Sequence, residues 1–138
     1  MFRKILVAYD ASKQAEAAFA CALEIAARFG AEMFVVSVAR PPEPATRVEL
    51  DAVIDAAKAH YEERFVVLRE AAAKKGVLLR SEVKVGHPAE QIVIAAERES
   101  ADLIVMGRRG KTMIERWMLG SVSARVLAYA HCPVLVLN

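Results

Sequence analysis

The sequence predicts an α/β fold: a single doubly wound, five-stranded parallel sheet. Three observations predict it. Five apolar runs of strand length alternate with helical patterns along the whole chain, which is the rhythm of parallel strands joined by helices. Most of those runs are continuous rather than alternating, as expected of strands covered on both faces. The glycines and the acidic residue that break the pattern fall just after apolar runs, at the edge where open α/β sheets take ligands.

Each element has its own signal. The strand candidates are Lys4 to Tyr9, Met33 to Val38, Leu78 to Val85, Leu103 to Met106 and Val134 to Leu137. Ser12 to Phe29 is rich in alanine, with Ala15, Phe19, Ala22, Leu23 and Ala26 on one stripe, and Gly30 closes it. Val53, Ala57, Tyr61, Phe65, Leu68 and Ala72 step by three or four through a second, long helix that Gly76 ends. His87-Pro88 opens a third helix, with proline in its first position, Glu90 in its first turn and Ile92, Ala95 and Ala96 on its buried side. Val122 to Ala130 reads as a short fourth helix. Between the second strand and the second helix, Arg40-Pro41-Pro42-Glu43-Pro44 is incompatible with helix or central strand and reads as a surface flap beside the ligand edge.

Size and composition set outer bounds. At 138 residues the chain is one domain, spanning 1–138, with no internal repeat. Hydrophobic residues make up 56% and charged residues 26%, a balance that disfavours long disordered segments. Nineteen Lys and Arg against seventeen Asp and Glu leave a net charge of +2, too small to imply a nucleic-acid partner. No apolar run approaches the roughly 20 residues that span a bilayer. Ile5 to Tyr9 is too short for a signal-peptide core. Cys21 and Cys132 make neither a disulfide framework nor a metal-ligand spacing, so the expectation is a protein of the reducing cytoplasm without a membrane partner.

The richest stretch is Gly107-Arg108-Arg109-Gly110, nine further residues, and Gly120-Ser121, lying between a buried strand and a helix. Glycines let a backbone approach a ligand closely. A helix that begins just after Gly120 offers unpaired N–H groups and the positive end of its dipole. The two glycine groups therefore read as two sides of one phosphate cradle, with Arg108, Arg109, Lys111 and Arg116 to screen charge. The plain alternative has Gly107 as a strand exit and Ser121 as a helix cap. Gly110-Lys111-Thr112 does not complete a P-loop, because position 105 is Val105 where that motif needs glycine. Asp10 likewise has two readings: a carboxylate for a nucleoside or a hydrated cation, or the capping turn of the first helix together with Ser12.

Residue groupings suited to catalysis are few. His60 lies among Glu62, Glu63 and Arg64 on a solvated helix face, and no histidine pair or carboxylate cluster has ligand spacing. Ser121 stands in Gly-Ser-Val-Ser rather than in a nucleophile elbow. Cys132 beside His131 reads either as an activated thiol or, with more weight, as a buried structural cysteine. Trp117 and Met118 read as packing residues. No general base for rapid hydrolysis stands out.

Taken together, Ile5-Leu6-Val7-Ala8-Tyr9-Asp10-Ala11-Ser12, Val85-Gly86-His87-Pro88, Asp102 to Gly107, the glycine spacing through Gly120-Ser121 and the closing Cys132-Pro133-Val134-Leu135-Val136 resemble a universal stress protein of the ATP-binding subgroup. The resemblance spans essentially the whole chain. It implies an adenine nucleotide alpha hydrolase-like fold with strand order 3-2-1-4-5 and four helices. It also implies ATP across the ends of the first and fourth strands. By position, Asp10 and Val38 would meet the adenosine, Met106 and Gly107 would lie near base and ribose, and Arg109, Gly110, Gly120, Ser121 and Val122 would surround the phosphates. Ala8 belongs to the same nucleotide-binding set. Mg²⁺ or Mn²⁺ would be held mainly by phosphates and water. One departure stands beside the aspartate: the family often has glycine where this chain has Ala11, which stiffens the turn.

The resemblance further implies a homodimer paired along the last strand, Val134 to Leu137, and a nucleotide-dependent stress regulator that acts through an unidentified protein partner. Turnover would be slow or absent, with autophosphorylation on Ser121, Ser123 or Thr112 as its limit. Two rivals remain. One is an enzyme of α-phosphate chemistry, which would need a glycine- and serine-rich loop after the first strand that Tyr9 to Lys13 lacks. The other is a dimeric interaction module with a vestigial pocket.

Overall fold

The computed structural model describes residues 1–108 and 119–138. In chain order these form β1 (Lys4–Ala8), α1 (Lys13–Phe29), β2 (Glu32–Ala39), α2 (Arg47–Lys74), β3 (Leu79–Val85), α3 (Pro88–Arg98), β4 (Leu103–Gly107), α4 (Ser121–Tyr129) and β5 (Val134–Leu137). The five strands make one parallel sheet in the order β3-β2-β1-β4-β5. The chain leaves β1 toward one edge, then returns past it to build the other, so strand order reverses between β1 and β4. A crevice opens beyond the carboxyl ends of the strands at such a point.

Alternate residues of each central strand feed two cores. Ile5 and Val7 of β1 join Val35, Val105 and the inner stripes of α1 and α2 on one face. Leu6 joins Val36, Ile104, Met106, Val126 and the alanine-rich side of α3 on the other. Burial on both faces explains why these strands read as unbroken apolar runs.

The helix ends obey local chemistry. Ser12 caps α1 by accepting the Ala15 N–H at 3.1 Å, and Gly30 closes that helix in the left-handed conformation. Asp10 accepts the Ser12 N–H at 3.0 Å, so both side chains of the Asp10–Ser12 turn serve it. Helix α2 starts at Arg47, earlier than the apolar stripe from Val53 suggests. The signal was a capping box: Thr46 accepts the Glu49 N–H at 3.1 Å while its hydroxyl donates to the Glu49 carboxylate. Helix α4 begins at Ser121, so Ser121 is its first residue, and its N-cap is Gly120.

Candidate functional site

The end of β1 is held in place from β2. The Tyr9 N–H donates to the Val36 carbonyl at 2.9 Å. The buried Ser37 hydroxyl donates to the Tyr9 carbonyl at 2.6 Å. Behind them the Tyr9 ring is 1% exposed and turns into the α1–α2 core, edge-on to Tyr61. Its hydroxyl donates to Glu16, and Arg64 of α2 reaches both partners, at 3.2 Å to Tyr9 and 2.5 Å to Glu16. Burial raises the Tyr9 phenol above its ordinary value and the Glu16 hydrogen bond adds to this, against the opposing pull of Arg64. Sequence reasoning did not find this clip, because its members lie far apart in the chain and only the α1–α2 packing joins them.

With β1 fixed, one cleft of about 490 Å³ opens at the carboxyl edge of the sheet. Ala8 and Asp10 form its floor, and Val36, Val38 and Arg40 form one wall. Pro88 and Ile92 of α3 stand over it. Met106 and Gly107 of β4, then Gly120, Ser121 and Val122 at the start of α4, close the far side. Eight of the ten residues singled out in the sequence thus share one cavity. The other two, Arg109 and Gly110, lie outside the described residues, as do Lys111, Thr112, Arg116, Trp117 and Met118. Val36 and Arg40 were missed, although a two-residue strand period through Val38 would have placed them on the same side.

The two glycines differ physically. A Cβ on Gly107 would lie 2.6 Å from the Gln14 backbone, so this glycine is required by the close passage of α1 over β4. A Cβ on Gly120 would meet nothing within 4 Å, and its φ of −58° suits any residue. Neither packing nor backbone conformation among the described residues demands glycine there. Among the described residues no side chain caps the start of α4, and its first residues line the cleft with amides that have no partner inside the helix. Helix dipole and free N–H groups together favour an anion.

The cleft's titratable groups are few. Asp10 is its one carboxylate among the described residues and already serves the α1 turn. Ser123 is 3% exposed, whereas Ser121 is open to solvent. The flap from Arg40 to Pro44 borders the cleft, and His87 at the start of α3 approaches Glu43 to 3.2 Å. Cys132 is half-buried away from this edge. Burial, with the Asp102 charge as a smaller cause, pushes its thiol up, which favours the structural reading of this cysteine over the activated thiol. Asp102 itself accepts the Arg3 and Lys4 N–H groups at the opposite end of the sheet, so its place in the sequence pattern is structural.

Comparison with known proteins agrees with this geometry. The family model for the universal stress protein family matches residues 1–138. A universal stress protein of Thermus aquaticus is 40% identical over 140 residues, covering all of both chains. Universal stress protein UspA from Lactobacillus plantarum superimposes with a TM-score of 0.86 at 29% identity, over 99% of this chain and 98% of that one. A universal stress protein solved in complex with cAMP gives a TM-score of 0.77 at 24% identity, over 99% and 97%. On a match that covers its full length, with the expected strand order and helix placement, the chain belongs to the universal stress protein family.

Proposed function

We propose that this protein binds an adenine nucleotide, ATP foremost, in the cleft between β1 and β4 and uses the bound state as a regulatory signal. The observation that carries the reading is the start of α4, which among the described residues has no side-chain cap and no atom within 4 Å of a Gly120 Cβ. The amides of Ser121 and Val122 and the Ser121 hydroxyl would take the phosphates. The apolar wall of Val36 and Val38 suits a base. The relative solved with cAMP supports this fold as a nucleotide host, and at 24% identity the likeness is one of fold alone. Arg109 and Gly110 keep their proposed place in the phosphate loop through the resemblance.

A divalent cation would arrive with the phosphates. It would be held mainly by phosphate and water. Binding rather than turnover is proposed because the cleft's one described carboxylate is committed to a turn. A steady-state ATPase rate near about 10 per second would contradict it.

A second copy is proposed to pair along β5. That strand is the sheet edge and carries only apolar residues, Val134 to Leu137, each partly exposed. Sedimentation at micromolar concentration is expected to show a dimer, and monomer alone would end this part of the reading. A cytoplasmic site of action is proposed from the two free cysteines; among the described residues no helix is long and apolar enough to cross a membrane.

Calorimetric titration with Mg-ATP tests the binding claim. A micromolar Kd is expected. No heat of binding, with no nucleotide released from denatured protein, would overturn it and leave a dimeric interaction module in its place.

A further inference from the structure

Arg40 is the one cationic side chain lining the cleft among the described residues, and it has no ion pair or hydrogen bond within them. The carboxylate of the adjoining flap and the one described carboxylate of the cleft both have other partners. Glu43 lies against His87 at 3.2 Å, and Asp10 accepts the Ser12 N–H at 3.0 Å. The backbone at this point is well anchored. β2 and β3 stay in register to Ala39 and Val85, and the Gly86 N–H donates to the Ala39 carbonyl at 3.0 Å. Pro41 then restricts Arg40 to extended conformations, so Arg40 continues the alternation of Val36 and Val38 into the cleft.

The layout assigns this wall a role. Phosphates belong at the start of α4, beside β4, and β2 lies on the other side of β1 from β4. With strands about 4.8 Å apart, the Arg40 wall is roughly 10 Å from that side of the cleft. The far end of a nucleotide held by its phosphates is its base. A guanidinium plane stacks on aromatic faces, with its charge adding to the contact. We propose that Arg40 is a specificity-determining residue whose guanidinium lies flat on the nucleobase and favours purines, which offer the larger face. The inference rests on the nucleotide reading of the cleft and names which described side chain selects the base.

The test is calorimetric Kd measurement for Mg-ATP and Mg-CTP with the wild type, Arg40→Ala, Arg40→Lys and Arg40→Tyr. Arg40 is exposed, so the variants should fold, and thermal midpoints confirm it. ATP affinity should fall about 3- to 30-fold in Arg40→Ala, and Arg40→Lys should recover little of it. Arg40→Tyr, planar without charge, should stay within about twofold of wild type. The ATP-to-CTP preference should shrink with the loss. Unchanged ATP binding in Arg40→Ala would overturn the inference while leaving the nucleotide site intact. Full rescue by Arg40→Lys would overturn it too, since a point charge then suffices and the contact is to phosphate. Equal weakness of Arg40→Tyr and Arg40→Ala would remove the stacking plane. A wild type that binds neither nucleotide would overturn this inference and the nucleotide reading together.

Discussion

Ala11 sits at a φ of 64°, the left-handed region where a Cβ costs about 1 kcal/mol or more. The conformation is imposed by the sharp turn from β1 into α1, with Asp10 and Ser12 both hydrogen-bonded around it. The backbone keeps the shape that glycine would adopt freely. Ala11→Gly is therefore expected to stabilise the fold by about 0.5 kcal/mol, the relieved strain being partly offset by the greater freedom of glycine in the unfolded chain. A rise in the denaturant midpoint checks it; a fall would mean that the turn carries no strain. The departure at Ala11 was visible in the sequence, but its φ was not. Likewise the glycine spacing was legible, yet nothing in it separated Gly107, which α1 presses against, from Gly120, which has room. That distinction depends on the distance between a helix and a strand separated by most of the chain.

Among the elements, α2 is the outlier. Its 28 residues extend about 42 Å, against about 23 Å for the seven residues of β3 beneath it. The buried stripe of Ala57, Tyr61, Phe65, Leu68 and Ala72 covers only its later turns. Before them Val48 is 78% exposed, so the first turns rely on local chemistry rather than packing. Thr46→Ala should cost these turns about 1 kcal/mol through loss of the capping box. Amide exchange near Glu49 and Leu50 should quicken while the thermal midpoint of the domain barely moves. A large drop in the midpoint would show that the overhang is coupled to the core. This start was illegible to a search for apolar periodicity because there is no buried face to generate one. Where helices do bury a face more was legible: α1 to within a residue at each end, and the start of α3 at Pro88.

For the molecule as a whole, the alternation of apolar runs and helical stripes was enough to name a parallel α/β sheet. The strand order came with the resemblance and is the order observed. What sequence could not show is how the outer face of the sheet is finished beside β3. There Arg80 and Arg98 lie 5.1 and 5.7 Å from the centre of the Phe34 ring. Arg80 pairs with Glu99 at 2.5 Å, Arg98 with Glu82 at 2.5 Å, and Lys4 approaches Glu99 to 3.8 Å. The Arg80 hydrogen bond is the main influence holding the Glu99 carboxyl below its ordinary value, against some opposing burial. For Glu82, burial pushes upward, but hydrogen bonds from Lys84 and Arg98 outweigh it. A native value below the unfolded one means stability that is present above about pH 4.5 and lost as pH falls through the depressed native range. Glu99→Gln should lower the thermal midpoint at pH 7 and flatten its decline toward pH 3. An acid limb as steep as that of the wild type would contradict the assignment. The central claim, a cradle for phosphate between β4 and α4, is tested most directly by titrating Mg-ATP into the wild type and Gly120→Val by calorimetry. A Cβ at Gly120 meets nothing within 4 Å among the described residues, so the variant should fold as the wild type does while narrowing the space assigned to the ligand. Micromolar binding in the wild type and at least about tenfold weaker binding in a folded Gly120→Val is the expected result. Equal affinity in the two proteins would contradict it.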